Sequence, residues 1–324
     1  MAPLLSHLRR LVPFARSQRP AKVDVHLQEH ATGPGDEDRR IRDSVDLNAT
    51  LVAGRSQIGG SIAEVLGKSG ANWWGHYEVP IDGWRLFELG QMRVWAGRFA
   101  GEWRFATEPN PAGKTEGWET KVVEAGPEWF ARYAVTDEQN KLLLAPILPE
   151  RPLVFRPRVP LYLPENQELT VYVEIPLWVA FCSVDPLREV ASFPLQVLSD
   201  TWFGPTTREG ELCYACKTPL AIGFRYRELS SFRATCAISL ANRGPTPLKL
   251  ERIRVRVEAL ALFQENNGRI WTQDVIFDRT RGNDPIAMQI RPGPPSAAKN
   301  ATQIAGPRSS ESANLVLKAL SHLF

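Results

Sequence analysis

Phe232-Arg-Ala-Thr-Cys-Ala-Ile-Ser-Leu240 decides the fold. Phe232, Ala234, Cys236, Ile238 and Leu240 take every second position, with Arg233, Thr235, Ala237 and Ser239 between them. Successive side chains of an extended chain point to opposite faces, so this period predicts a strand with one buried face. The same period returns outward in both directions. Leu169, Val171, Val173 and Ile175 alternate with Thr170, Tyr172 and Glu174; Phe193, Leu195 and Val197 repeat the pattern. Downstream, Ile253, Val255, Val257 and Ala259 face one way while Arg252, Arg254, Arg256 and Glu258 face the other. Leu248 and Leu250 are out of phase with that set, which predicts a bulge near Glu251. Asn267-Gly268, between Leu260-Ala-Leu-Phe263 and the apolar run 270–277, predicts a hairpin.

Further upstream the chain is rich in tryptophan. Trp84-Arg-Leu-Phe, Met92-Arg-Val-Trp and Glu102-Trp-Arg-Phe are short apolar and aromatic runs, separated by Gly90-Gln91 and by the stretch 97–101. They predict strands joined by tight turns. Seven or more strands with Pro- and Gly-rich connections, and no interleaved helical pattern, predict a mainly β fold built as an antiparallel sandwich. The expected divisions are a basic tail and linker over 1–38, a β-rich region with a short helix over 39–125, and the sandwich over 126–291. A flexible linker over 292–308 and an amphipathic helix over 309–324 complete them. The short helix opens at Ser61-Ile-Ala-Glu64, which has the form of a capping box.

The two ends differ from the body. Of 39 basic and 36 acidic residues, the first thirty hold five basic and two acidic, so the net +3 is local to them and the rest is balanced. A balanced body lacks the basic stripe that neutralises phosphates, which disfavours nucleic acid as a partner. Leu4, Leu8, Leu11 and Val12 recur at helical spacing beside Arg9 and Arg10 until Pro13 interrupts, a pattern suited to an anionic membrane surface. The apolar stretch is short for a secretory signal. At the other end Ala313, Val316, Leu317, Leu320, Leu323 and Phe324 share one helical face. Leu8, Arg9, Arg10, Val316, Leu320 and Phe324 are therefore candidate interaction residues. No apolar run approaches the ~18 residues of a membrane-spanning helix.

Constellations for chemistry are scarce. The chain is 43% hydrophobic and 23% charged, with four cysteines and five histidines. Cys213-Tyr-Ala-Cys216 lies in an apolar run that reads as a strand, where the spacing would send the two sulfurs to opposite faces. Core thiols are expected, with no metal and no cofactor. The arginine stripe reads as a solvated face and the tryptophans as core, although aromatic faces can also stack sugars or bases. Asp200, Glu209 and Glu211 cluster around Ser199-Asp-Thr-Trp-Phe-Gly-Pro205, which reads as a loop. Asp200 and Trp202 make it the candidate ligand loop. The chain has no glycine-rich phosphate loop, no G-x-S-x-G elbow and no H-E-x-x-H.

Two resemblances follow from these runs. The stretch 238–250 resembles the strand–turn–strand of immunoglobulin-like modules; a jelly-roll-like sandwich is the other form expected. Leu198-Ser-Asp-Thr-Trp-Phe-Gly-Pro205 with Gly210-Glu-Leu-Cys-Tyr-Ala-Cys-Lys-Thr218 resembles a β-rich family of archaea and bacteria, the domain of unknown function 432. Trp84-Arg-Leu-Phe-Glu-Leu-Gly90 and Gly101-Glu-Trp-Arg-Phe105 point the same way, over about residues 75–290. The resemblance implies no catalytic residues. Members encoded beside small-conductance mechanosensitive channels imply an accessory role at a channel. The expected function is a non-catalytic, cytoplasmic protein-interaction module, peripheral to a membrane through its basic N-terminus, with a protein partner. The alternative is a carbohydrate-binding or hydrolytic module using the tryptophans and the Asp200 loop.

Overall fold

The computed structural model describes residues 72–309, apart from 112, 114–116, 137, 217–219, 224–228 and 280–285. The tail over 1–38, the capping box at Ser61 and the helix expected over 309–324 lie outside the described residues, Ser309 excepted. Among the described residues the regular elements are all strands but for the 3-10 turn Val257–Ala259.

Gly83–Leu89, Met92–Phe99 and Glu102–Pro109 form an antiparallel meander, flanked by Trp118–Val123 and Ala131–Ala134. Its first turn is Gly90-Gln91, with Gly90 at φ +57; the second is Ala100-Gly101, with Gly101 at φ +71. Only glycine holds such angles without steric cost. Gly97 is no turn residue. It lies within a strand because the Trp84 indole occupies the space its Cβ would take, 2.8 Å away.

A second antiparallel sheet runs Gly75–Glu78, Lys141–Ile147, Trp178–Val184 and Leu187–Pro194. Phe87 and Phe105 of the meander meet its Phe181 and Phe193, with ring centroids 5.1 to 5.8 Å apart. Eight strands make the largest sheet, in which Gln167–Pro176 and Arg233–Asn242 pair over ten residues. Alternation held there because Val171, Val173, Ile175, Ala234, Cys236 and Ile238 all face the core. Leu262–Gln264 and Ile270–Thr272 pair across Asn267-Gly268 as expected, with Gly268 at φ +90.

Several expectations fail for identifiable reasons. No division falls at 125/126: Gly75–Glu78 pairs with Lys141–Ile147, and one apolar core spans both sides. The stretch 238–250 forms no hairpin. Asn242, fully buried, donates to the carbonyls of Leu163, Pro164 and Thr246, and Leu248–Leu250 pairs with Leu161–Leu163 instead. The phase break at Glu251 is therefore a change of sheet, since Ile253–Val255 pairs with Leu153–Phe155. Parallel pairs also occur, between Arg233–Asn242 and Val275–Arg279 and between Glu211–Cys216 and Leu153–Phe155, so the fold is not wholly antiparallel. The linker expected over 292–308 is a structured strap. Thr302–Ala305 joins the largest sheet beside Leu262–Gln264, and Ile304 is fully buried. Buried Asp274 accepts from the Ser296 amide and hydroxyl (3.1 and 2.5 Å) and pairs with Arg291 at 3.1 Å.

Candidate functional site

Ser199–Phe203 and Glu211–Cys216 form a hairpin at the end of a four-stranded sheet completed by Leu153–Phe155 and Ile253–Val255. The segment read as a loop is thus a strand. Its turn is held locally: Thr206 Oγ1 accepts from the Arg208 and Glu209 amides (3.2 and 3.0 Å), and the Trp202 indole donates to the Thr206 carbonyl at 2.7 Å. Gly204 is required because a Cβ would stand 2.0 Å from the Glu209 carbonyl oxygen.

The register, with Asp200 opposite Tyr214 and Trp202 opposite Leu212, puts those four side chains on one face. Thr201, Phe203, Glu211 and Cys213 take the other. On the first face Trp202 and Leu212 are 41% and 44% exposed, an apolar cross-strand pair open to water. Asp200 pairs with Arg151 at 3.4 Å, and the Tyr214 hydroxyl donates to Glu150 at 3.1 Å. Burial, followed by the Glu150 charge, pushes the Tyr214 hydroxyl above its ordinary pKa.

The second face is polar and basic. Arg254 and Arg256 both pair with Glu211, the latter at 3.2 Å, and Arg256 reaches Glu258 at 3.7 Å. Arg252 and Arg254 stand over the Phe203 ring at 5.3 and 5.1 Å, and Arg156 donates to Thr201 Oγ1 at 3.5 Å. The solvated stripe expected of these arginines is not what forms: Arg254 is buried, and its charge is met by Glu211. Glu258 is buried too, because the 3-10 turn ends the alternation that would have aimed it outward. Burial raises its carboxyl to about 7.

Asp200 and Glu211 are held on opposite faces, so the acids grouped by sequence do not converge as paired glycosidase carboxyls would. Cys213 packs with Val154 and Phe203 while Cys216 belongs to the main core, so the two sulfurs do face apart. All four cysteines are free and buried. Burial pushes the Cys182, Cys213 and Cys236 thiols up to about 12, far from the thiolate that reacts. Among the described residues no three His, Cys, Asp or Glu side chains gather to hold a metal ion. Trp73, Trp74, Trp84 and Trp103 are core, which leaves them no face for a sugar or base, while Trp95 is half-buried. Leu8, Arg9, Arg10, Val316, Leu320 and Phe324 lie outside the described residues. Among the described residues no helix is long and apolar enough to cross a membrane.

Sequence reasoning singled out Asp200 and Trp202 and missed Leu212 and Arg156. Counting back across the 204–210 turn would have set Leu212 opposite Trp202. Arg156 follows a strand only three residues long, too short for its period to be read.

No curated protein and no solved structure matches the chain. The model of a family described as "Protein of unknown function (DUF432)" matches residues 73–322, which takes in every strand described above, and the chain belongs to that family.

Proposed function

We propose that this is a non-catalytic protein-binding module whose recognition surface is the hairpin of Ser199–Phe203 and Glu211–Cys216. The observation that carries it is the Trp202–Leu212 pair, two large apolar side chains exposed side by side on one face of an end hairpin. A buried aromatic anchor is the usual energetic centre of a protein interface, and tryptophan is the residue most enriched there. The Trp202 indole is already fixed by its bond to Thr206, so little rotamer freedom is lost on binding.

A membrane-associated protein such as a mechanosensitive channel is the partner that the family resemblance favours. The terminal residues Leu8, Arg9, Arg10, Val316, Leu320 and Phe324 would bring the module to the membrane surface. Four free thiols suit the reducing cytoplasm. A sandwich is the architecture in keeping with the packed sheets. The ligand-binding alternative keeps Trp202 as an open indole beside Asp200, and Trp129 is exposed as well.

Cross-linked capture from the native cell tests this with the full chain and a Trp202→Ser, Leu212→Ser variant. The wild type is expected to retain proteins that the variant loses, with unchanged circular dichroism. Identical captured sets would contradict it.

A further inference from the structure

Ser199–Phe203 is the end strand of its sheet: Glu211–Cys216 pairs with one side, and no described strand covers the other. An end strand turns alternate backbone N–H and C=O groups outward, and proteins blunt such edges with charges, proline, bulges or brevity. Several other end strands here are blunted, although Ala287–Ile290 also lacks charge, proline and register shift. Trp118–Val123 carries Glu119 and Lys121, Leu187–Pro194 carries Arg188 and Glu189, and Ala221–Ile222 has two residues. Ser199–Phe203 has no Lys, Arg, Pro or register shift. Its one charged residue, Asp200, is paired with Arg151.

We propose that this edge accepts an extended segment of a partner protein in which apolar and acidic residues alternate. The inference rests on the protein-binding reading above and names the partner's chemistry.

An added strand places successive side chains on opposite faces. On one face they meet Trp202, with Leu212 behind it on the inner strand, which favours apolar groups. On the other they meet Thr201, where the Arg156 guanidinium lies 3.5 Å from the hydroxyl with no carboxylate paired to it among the described residues. Arg252, over the Phe203 ring, likewise has no carboxylate partner there. Glu211 is taken up by Arg254 and Arg256, so it does not offset these two cations. An acidic side chain on this face gains a charge partner and a basic one meets repulsion, which selects the partner's period-two pattern.

The test uses the full chain and three labelled short peptides: alternating valine and glutamate, alternating valine and lysine, and the glutamate form with a central proline. Fluorescence anisotropy at low salt is expected to show saturable binding of the glutamate peptide. The lysine and proline forms should bind at least about tenfold more weakly. Arg156→Glu should weaken the glutamate peptide about tenfold and strengthen the lysine one. Equal binding of the two charge forms, indifference to proline, or no saturation at about 1 mM would overturn the inference. If the peptides fail while Trp202→Ser, Leu212→Ser still abolishes capture, strand addition falls and the recognition surface stands. If capture is also unchanged, both fall.

Discussion

Glu258 shows how far one residue's surroundings can depart from its sequence pattern. Its carboxyl is buried with Arg256 at 3.7 Å, and one of its oxygens has no hydrogen-bond partner. Unfolded, the group titrates near its ordinary 4.5; folded, near 7. Between those values the folded chain holds a proton that the unfolded chain has released. The stabilisation is therefore complete below about 4.5 and is lost as pH rises through about 7. Glu258→Gln keeps the shape and removes the titration. Its thermal midpoint is expected to vary less between pH 5 and 8, and to exceed the wild type's by a few degrees at pH 8. Parallel melting curves of the two proteins across that range would contradict this.

At the scale of elements, close approach decides more than propensity. The Trp84 indole lies against two glycines: a Cβ would stand 2.8 Å from it at Gly97 and 2.3 Å at Gly126. Gly97→Ala should cost about 1–3 kcal/mol, read from urea unfolding, because neither the ring nor the paired strand can retreat. A loss under about 0.5 kcal/mol would show that the meander relaxes. Asn242 does for a turn what those glycines do for a sheet. It satisfies three carbonyls at once, so Asn242→Ala should cost about 3 kcal/mol and loosen Leu248–Leu250 from Leu161–Leu163. An unfolding curve matching the wild type would deny it that role. The long strands were legible from sequence because alternation over ten residues allows one register: Val171, Val173 and Ile175 announce a buried face that the structure keeps. Pieces of three residues, such as Leu153–Phe155 and Ile253–Val255, were not, because a period cannot be read from so few positions. Sheet changes were invisible for a related reason. Asn242 and the Glu251 step depend on partners about eighty and a hundred residues away. The site was half legible: Trp202 and Asp200 stood out by type, whereas Leu212 and Arg156 gain meaning only from register.

Across the whole molecule, ion pairs fasten segments onto the apolar core, and the Ser199–Phe203 edge is left open for recognition. The strap over 292–308 illustrates the first half of that statement. Pro292, Pro294 and Pro295 gave it the composition of a linker, yet Asp274 ties it down and Thr302–Ala305 extends the largest sheet. Arg308 then reaches the Leu148 carbonyl, Glu189 and Ser192, and lies over the Trp178 ring at 5.3 Å. Asp274→Ala should admit protease within 292–308, where the wild type resists, at a cost of about 2–3 kcal/mol. Cleavage of both proteins at equal rates would mean that the strap is not held by this carboxylate. The second half is tested by amide hydrogen exchange of the full chain with and without the valine–glutamate peptide. Protection is expected to rise at Ser199–Phe203 and to stay unchanged at the end strands Trp118–Val123 and Leu187–Pro194. Protection that arises at those strands instead, or at none, would contradict the assignment of recognition to this edge.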